Sequence, residues 1–81
     1  MKFQVKLFAI ARQIVGSETA EVEVRDQATV ADVRMALVDK YPELKPTMKH
    51  MLIAVESEYA AQQMRLRPEY ELALIPPVSG G

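Results

Sequence analysis

The stretch TVADVRMALVDKYP, residues 29–42, decides the fold that the rest of the chain can adopt. Thr29 is a good helix N-cap, and Asp32 falls in the first turn, where negative charge suits the helix dipole. Apolar residues recur at three- and four-residue spacing and form one stripe: Val30, Val33, Leu37, Val38 and Tyr41. Pro42 disfavours helical geometry at Tyr41, so the helix should end about there. One amphipathic helix of this length is the right size to cover one face of a small sheet.

Two segments that precede this helix alternate like half-buried strands. From Lys2 to Leu7 the apolar side chains fall on one face and the polar ones on the other, and Phe8 then breaks the polar face. Residues 20–25 alternate in the same way, and the two strands should pair because sequential strands are usually neighbours. Residues 9–15 between them favour a short helical turn, which Gly16 can end as a left-handed cap.

Further strands are predicted after the helix. Residues 51–55 form an apolar run of strand length, and residues 56–58 should turn it into a weak partner at 59–61. Residues 70–75 alternate again and make the last strand. The connections carry three apolar residues that should point inward: Leu44, Met48 and Leu66. The periodicity therefore predicts an α+β domain in two layers.

Composition restricts the classes of function. The 81 residues suffice for one domain, in which only ~60% of the unfolded chain's surface can be buried. A net charge of −1 leaves no basic footprint for nucleic acid. No apolar run approaches the ~20 residues of a membrane span, and residues 1–5 lack the apolar block of a signal peptide, so we expect a cytoplasmic protein without membrane contacts. The absence of cysteine excludes disulfides, thiolate metal sites and a cysteine nucleophile.

No side chain predicts an independent enzyme. His50 is the only histidine and lies in a polar connection, which is typical of a surface residue rather than a metal ligand. Glu56 and Glu58 fall in a predicted turn, where nothing nearby would raise the pKa of either carboxylate. Ser79 has no histidine partner in sequence, and three glycines cannot build a phosphate loop. We therefore expect no bound cofactor, no metal and no catalytic site of its own.

The unusual chemistry lies in the last six residues: Pro76, Pro77, Val78, Ser79, Gly80 and Gly81. Two prolines favour an extended segment that cannot donate backbone hydrogen bonds to a sheet. The terminal glycines carry no side chain, so they can thread a channel too narrow for other residues. A frayed terminus is the alternative, but the strand at 70–75 leads directly into these prolines. We predict a domain over residues 1–75 and an extended, flexible diglycine tail over 76–81.

The predicted reacting group is the α-carboxylate of Gly81. An ionised carboxylate, with a pKa of ~3.5 in a free chain, resists nucleophilic attack. It becomes reactive only if another enzyme activates it, typically as an acyl-adenylate. The activated acyl group can then accept sulfur to give a thiocarboxylate, or an amine to give an isopeptide bond.

The sequence resembles a known family at several points. Phe8-Ala9 followed by Arg12 and Gly16, the helix start at Thr29-Val30, and the ending ALIPPVSGG over 73–81 look like the small subunit of molybdopterin synthase, the MoaD-type sulfur carrier family. The ending is the most specific part. The resemblance implies a β-grasp, or ubiquitin-like, fold: a mixed sheet packed on one main helix, with the final strand in the centre between the first and third.

The same resemblance implies partners and chemistry. An E1-like enzyme would adenylate Gly81 with ATP, and a sulfur donor would convert it to a thiocarboxylate. The tail would then enter the active site of the synthase large subunit and deliver sulfur to cyclic pyranopterin monophosphate. Alternatives stay open: a sulfur carrier for thiamine thiazole synthesis or tRNA thiolation, a ubiquitin-like modifier, or a non-covalent adaptor.

Two details of the resemblance concern surfaces and turns. A carrier needs an apolar patch beside the tail, since the tail alone buries little area. Phe8 and Ile75, on the predicted outer faces of their strands, are candidates, unless they cover a second small core.

Family members often have Asn-Gly at the hairpin turn, where this chain has Glu56-Ser57, and Gly-Asp-Glu before the last strand, where it has residues 68–71. The missing Asn-Gly predicts that a tight type I′ turn is less favoured.

Overall fold

The computed structural model describes residues 1–76, which fold into a sheet covered on one face by helices. The strands are β1 (Lys2–Leu7), β2 (Thr19–Glu23), β3 (Leu52–Val55), β4 (Glu58–Tyr59) and β5 (Leu72–Ile75). The helices are α1 (Ala9–Val15), α2 (Val30–Lys40) and α3 (Lys45–Met48), with a 3₁₀ turn at Pro42–Leu44. This arrangement confirms the predicted α+β class.

The sheet places its last strand in the centre. The strand order is β2-β1-β5-β3-β4, in which β1 and β5 are parallel and the other pairs are antiparallel. The mixed sheet and the central position of the final strand confirm the expected topology. Because β1 and β5 run in the same direction, with Leu7 opposite Leu74, their C-terminal residues lie at the same end of the sheet.

The main helix begins and ends where the sequence predicts. The Thr29 side chain accepts a hydrogen bond from the Asp32 amide at 3.4 Å, and the Asp32 carboxylate accepts one from the Thr29 amide at 2.9 Å. This reciprocal capping box satisfies two backbone donors that a helix start leaves unpaired. Tyr41 is the C-cap, and its amide donates to the Leu37 carbonyl.

The core lies between α2 and the inner face of the sheet. The helix contributes three fully buried residues, Val30, Val33 and Leu37, and the strands contribute their alternate apolar residues: Phe3, Val5, Leu7, Ala20, Val22, Ile53, Val55, Leu72 and Leu74. Leu44, Met48 and Leu66 are also buried, as predicted for the connections. Each large aliphatic side chain in this core stabilises the fold by roughly 1.5–3 kcal/mol.

The helical turn after β1 is also confirmed. Gly16 caps α1 with a left-handed backbone, φ 78°, and its amide donates to the Arg12 carbonyl at 2.8 Å. The first residue of α1, Ala9, also has a positive φ of 53°. The sequence gives no indication of that conformation, because alanine rarely adopts it.

The hairpin turn differs from the prediction. Glu56 and Ser57 connect β3 to β4 and have φ values of 51° and 69°, so both central residues have the positive φ that a type I′ turn requires. The expectation that this turn is disfavoured without Asn-Gly is therefore wrong. Strand pairing imposes the turn, because Val55 lies opposite Glu58 and the Glu56 amide donates to the Glu71 carbonyl at 2.9 Å.

Two connections also carry more structure than the sequence predicts. Residues 43–50 are expected from the sequence as a polar connection punctuated by proline, but residues 42–48 form the 3₁₀ turn and α3. Arg34 holds them, since its guanidinium donates to the Met48 and Met51 carbonyls, each at 2.7 Å. The last strand is shorter than predicted, because the Tyr70 amide donates to the Arg67 carbonyl in a turn.

Pro76 is the last described residue. The predictions for Pro77, Val78, Ser79, Gly80 and Gly81, and with them the division into a domain and a tail, lie outside the described residues. They stay predictions.

Candidate functional site

Three strands bring their ends together where the chain leaves the sheet. Leu52 at the start of β3 lies opposite Ile75 at the end of β5, and Leu7 at the end of β1 lies opposite Leu74. Phe8 follows Leu7 directly, so the register of β1 and β5 places it at the level of Ile75, at the same end of the sheet. Pro76, half-buried, continues from this point.

The outer face of β3, β4 and β5 is apolar. Side chains alternate along a strand, and residues directly opposite one another share a face. Ile53, Val55, Leu72 and Leu74 point into the core, so their neighbours point outward. These neighbours are Leu52, Ala54, Tyr59, Ala73 and Ile75, and together with Phe8 we call them the apolar sheet face.

Three members of the apolar sheet face are strongly exposed. Phe8 is 46% exposed, Leu52 39% and Tyr59 56%, whereas Ile75 is half-buried. Neither Phe8 nor Ile75 belongs to the buried core of the described residues. Exposed aromatic and aliphatic side chains that adjoin one another mark a surface suited to a protein partner.

The local backbone explains how Phe8 reaches this face. Phe8 has extended geometry, φ −131° and ψ 156°, so its side chain alternates away from buried Leu7. Ala9 then turns the chain sharply with its φ of 53° and starts α1, which has no side-chain N-cap. The left-handed residue thus redirects the chain directly after Phe8 and leaves the ring beyond the C-terminal end of β1.

The other half of the outer sheet face is charged. Lys6 pairs with Glu71, and the Gln4 amide group donates to the Glu21 carboxylate at 3.1 Å. Beyond the strands, Arg12 of α1 pairs with Glu18, the residue before β2, at 3.0 Å. Exposed pairs of this kind contribute little stability, roughly 0–1 kcal/mol. They instead form a polar border along one side of the apolar sheet face.

The ionisable groups with shifted pKa values lie away from this face. Hydrogen bonds from the Thr29 backbone and from Arg25 lower the pKa of Asp32, in the cap of α2. Partial burial lowers the pKa of Arg34, which binds the carbonyls of α3. Both groups have a structural role in holding a helix, so neither is a candidate general acid or base.

Three of the side chains that the sequence analysis considers for chemistry lie at the surface, and Ser79 lies outside the described residues. His50, Glu56 and Glu58 are exposed. Within residues 1–76, no group of three or more histidine or acidic side chains could hold a metal ion. In the same part of the chain, no helix is long and apolar enough to cross a membrane.

Four members of the apolar sheet face are not among the docking residues predicted from the sequence: Leu52, Ala54, Tyr59 and Ala73. Leu52 lies in a run that is apolar at every position, so alternation does not identify its outward residues. Tyr59 falls in a strand of two residues, too short for a periodic pattern. The pairing of Leu52 with Ile75 and of Tyr59 with Ala54 reveals both residues.

The mixed sheet with its central last strand, packed on one main helix, defines the class as a β-grasp, or ubiquitin-like, protein. Residues 5–81 match the ThiS family, and the chain belongs to that family.

Similar proteins cover nearly the whole chain. The molybdopterin synthase sulfur carrier subunit of Caenorhabditis briggsae is 36% identical over 80 residues, which span 96% of this chain and 95% of that protein. The small archaeal modifier protein 1 of Haloferax volcanii is 38% identical over 84 residues, spanning 94% and 97% of the two chains. A crystal structure of SAMP1 from Haloferax volcanii superposes with a TM-score of 0.87, at 36% identity and full coverage of both chains.

Proposed function

We propose that this chain is the sulfur carrier subunit of a molybdopterin synthase. The observation that carries the proposal is a diglycine ending only a few residues beyond a strand whose last residue, Ile75, lies in an exposed apolar surface. The full-length similarity to subunits named for this role supports it.

The proposed chemistry takes place at the α-carboxylate of Gly81. An E1-like enzyme transfers the adenylate of ATP to this carboxylate and releases pyrophosphate. A sulfur donor then displaces AMP, so that a carbon–sulfur bond replaces the carbon–oxygen bond to the phosphate. The carrier itself binds no cofactor, because ATP is used by the activating enzyme.

The thiocarboxylate is then used in a second protein. The tail enters the active site of the synthase large subunit and delivers its sulfur to cyclic pyranopterin monophosphate, where the dithiolene of molybdopterin forms. Gly80 and Gly81 give clearance in that channel, and residues 76–79 set the reach. We place these steps in the cytoplasm.

The apolar sheet face is the proposed docking surface for the large subunit. It adjoins Pro76, so a partner that covers Phe8, Leu52 and Ile75 also receives the start of the tail. Buried aromatic and aliphatic side chains at the centre of an interface supply most of its binding free energy. Neutral Leu52 and Tyr59 can be desolvated without the cost of an unpaired charge.

Reconstitution tests this proposal. The chain is loaded by an activating enzyme with ATP and a sulfur donor, then mixed with a molybdopterin synthase large subunit and cyclic pyranopterin monophosphate. Formation of molybdopterin that depends on Gly81 supports the proposal. If the loaded chain binds no large subunit but transfers sulfur to a thiazole synthase or a tRNA-thiolating enzyme, the assignment to molybdopterin is wrong.

A second candidate is a protein modifier, favoured by the similarity to the small archaeal modifier protein 1. In that case the activated carboxyl of Gly81 forms an isopeptide bond with a lysine of another protein. Tagged chain expressed in its own cells would give higher-mass conjugates that disappear when Gly81 is deleted. Their absence, with sulfur transfer intact, argues against this candidate.

A further inference from the structure

A groove on the helical layer has no role in the proposed sulfur transfer. It lies between α2 and α3, encloses about 470 Å³, and is lined by apolar Ala31, Met35, Val38 and Met48. Met35 is 66% exposed, more than any other large apolar residue of residues 1–76. A methionine held this far from the core contributes little to folding, and it is an adaptable contact for another molecule.

Hydrogen bonds and core packing connect the two sides of the groove. Its two walls are joined by Arg34, whose guanidinium donates to the carbonyls of Met48 and Met51 at 2.7 Å. Val38 and Met48 also pack in the hydrophobic core, so they anchor the groove floor. A partner would therefore meet a preformed surface, which reduces the entropic cost of binding.

The groove is basic although the chain carries a net charge of −1. Among its lining residues are Arg34, Lys45 and Lys49, against one acidic residue, Asp39. Lys45 and Lys49 are exposed, and within residues 1–76 neither forms an ion pair. Their charges border the apolar floor and would attract an anionic partner.

The spacing of the groove residues matches one kind of occupant. Ala31, Met35 and Val38 stand at positions i, i+4 and i+7 along α2, a stripe of about 10 Å. A short amphipathic helix that lies in a groove contacts it over the same distance with the same spacing. Acidic residues beside the apolar stripe of that helix would face Lys45 and Lys49.

We propose that the groove between α2 and α3 is a second docking site, which binds an acidic amphipathic helix of a partner protein. The groove belongs to the helical layer, and the apolar sheet face belongs to the opposite side of the sheet. A partner in the groove therefore leaves the apolar sheet face accessible. The two surfaces can be occupied at the same time.

The test uses a pair of synthetic amphipathic helical peptides that share an apolar face of leucines. One peptide carries glutamates beside that face, and the matched peptide carries lysines. Each is titrated into the isotopically labelled full chain, and backbone amide shifts are followed by NMR. We expect saturable shifts along Ala31 to Val38 and at Met48 with the acidic peptide, and at least ~10-fold weaker binding of the basic one.

Substitutions locate the binding. Met35→Gln should weaken the acidic peptide by about fivefold or more, because it removes the central apolar contact. The double variant Lys45→Glu/Lys49→Glu should reverse the preference between the peptides. These three side chains are exposed, so the fold should persist, and the amide spectrum of each variant checks it.

Several results would overturn the proposal. The proposal is wrong if neither peptide produces saturable shifts. It is also wrong if the groove binds both peptides with equal affinity. Shifts that concentrate at Leu52, Tyr59 and Ile75 would assign the binding to the apolar sheet face instead. Unchanged affinity in Met35→Gln would exclude the groove. None of these outcomes depends on sulfur transfer, so the proposed function is tested separately.

Discussion

Helix α1 has a residue with left-handed backbone geometry at each end: Ala9 at its start and Gly16 at its C-cap. Gly16 has a φ of 78°, and a Cβ built on it would meet no atom within 4 Å. Gly16→Ala should therefore cost only the conformational penalty of alanine in this region, about 1 kcal/mol. Urea unfolding measures the change. A loss several times larger would mean that the side chain meets an obstacle after all.

Ala9 offers the opposite substitution. Its φ of 53° already strains an alanine, so Ala9→Gly should relieve the penalty, offset in part by the greater freedom of glycine in the unfolded chain. We expect a gain of up to ~1 kcal/mol in the free energy of unfolding. Urea unfolding of Ala9→Gly and Gly16→Ala, measured together, shows whether the two substitutions change the free energy of unfolding in opposite directions. A clear loss in Ala9→Gly would contradict the strained backbone.

The cap of α2 predicts a dependence on pH. Hydrogen bonds from the Thr29 backbone and from Arg25 lower the pKa of Asp32 in the folded chain. The ionised group therefore stabilises the fold above the unfolded pKa of about 3.9, and this contribution is lost as pH falls through the folded pKa. The stability difference between the native chain and Asp32→Asn should shrink below about pH 4.

Urea midpoints of both proteins, measured at neutral and at acid pH, check this prediction. Asp39→Asn is the matched control, since that carboxylate is exposed on the same helix and no ion pair involves it within residues 1–76. A difference between the native chain and Asp32→Asn that stays constant with pH would show that the charge of Asp32 contributes nothing.

Within the sheet, β3 and β5 carry the proposed docking surface, and α2 lies on the other side of the sheet. Leu52→Gln should weaken binding to a synthase large subunit by about fivefold or more, because it places an amide in the centre of an apolar contact. Its unfolding free energy should change little, since Leu52 is 39% exposed. Isothermal titration calorimetry measures the affinity.

Met35→Gln is the matched control for this experiment. It makes a comparable apolar-to-amide change at a side chain that is 66% exposed on the helical layer. We expect its affinity for the large subunit to equal that of the native chain. Equal weakening by both substitutions would mean that the effect does not come from the apolar sheet face.

Sequence patterns predicted the elements with clear periodicity. Residues 29–41 combine an N-cap, an apolar stripe and a following proline, and α2 has the expected bounds. The alternation of β1 and β2 identified their inner faces, because each strand has one polar side. Phe8 was placed on the outer face for the same reason.

The remaining elements depend on tertiary contacts that a local pattern does not contain. The left-handed turn at Glu56-Ser57 is imposed by strand pairing against the local preference of both residues. Residues 42–48 are held in place by the reach of Arg34 across the helical layer. The outward position of Leu52 follows from its register with Ile75. Each depends on residues distant in sequence.

For the molecule as a whole, the proposed function separates binding from chemistry. The core between sheet and helix supports one apolar surface on the sheet and one basic groove on the helical layer. The proposed reacting carboxylate belongs to Gly81, which lies outside the described residues. Partner enzymes would bind the folded domain and would catalyse both the activation of Gly81 and the sulfur transfer.

Intact mass spectrometry tests whether Gly81 receives the sulfur. The chain is incubated with an E1-like activating enzyme, ATP and a sulfur donor, beside a variant that lacks Gly81. We predict that one oxygen of the native chain is replaced by sulfur, that fragmentation places the change at Gly81, and that the variant unfolds at the same urea concentration but gains no sulfur. A native chain whose mass stays unchanged with several activating enzymes, or sulfur found on the variant, would contradict the account.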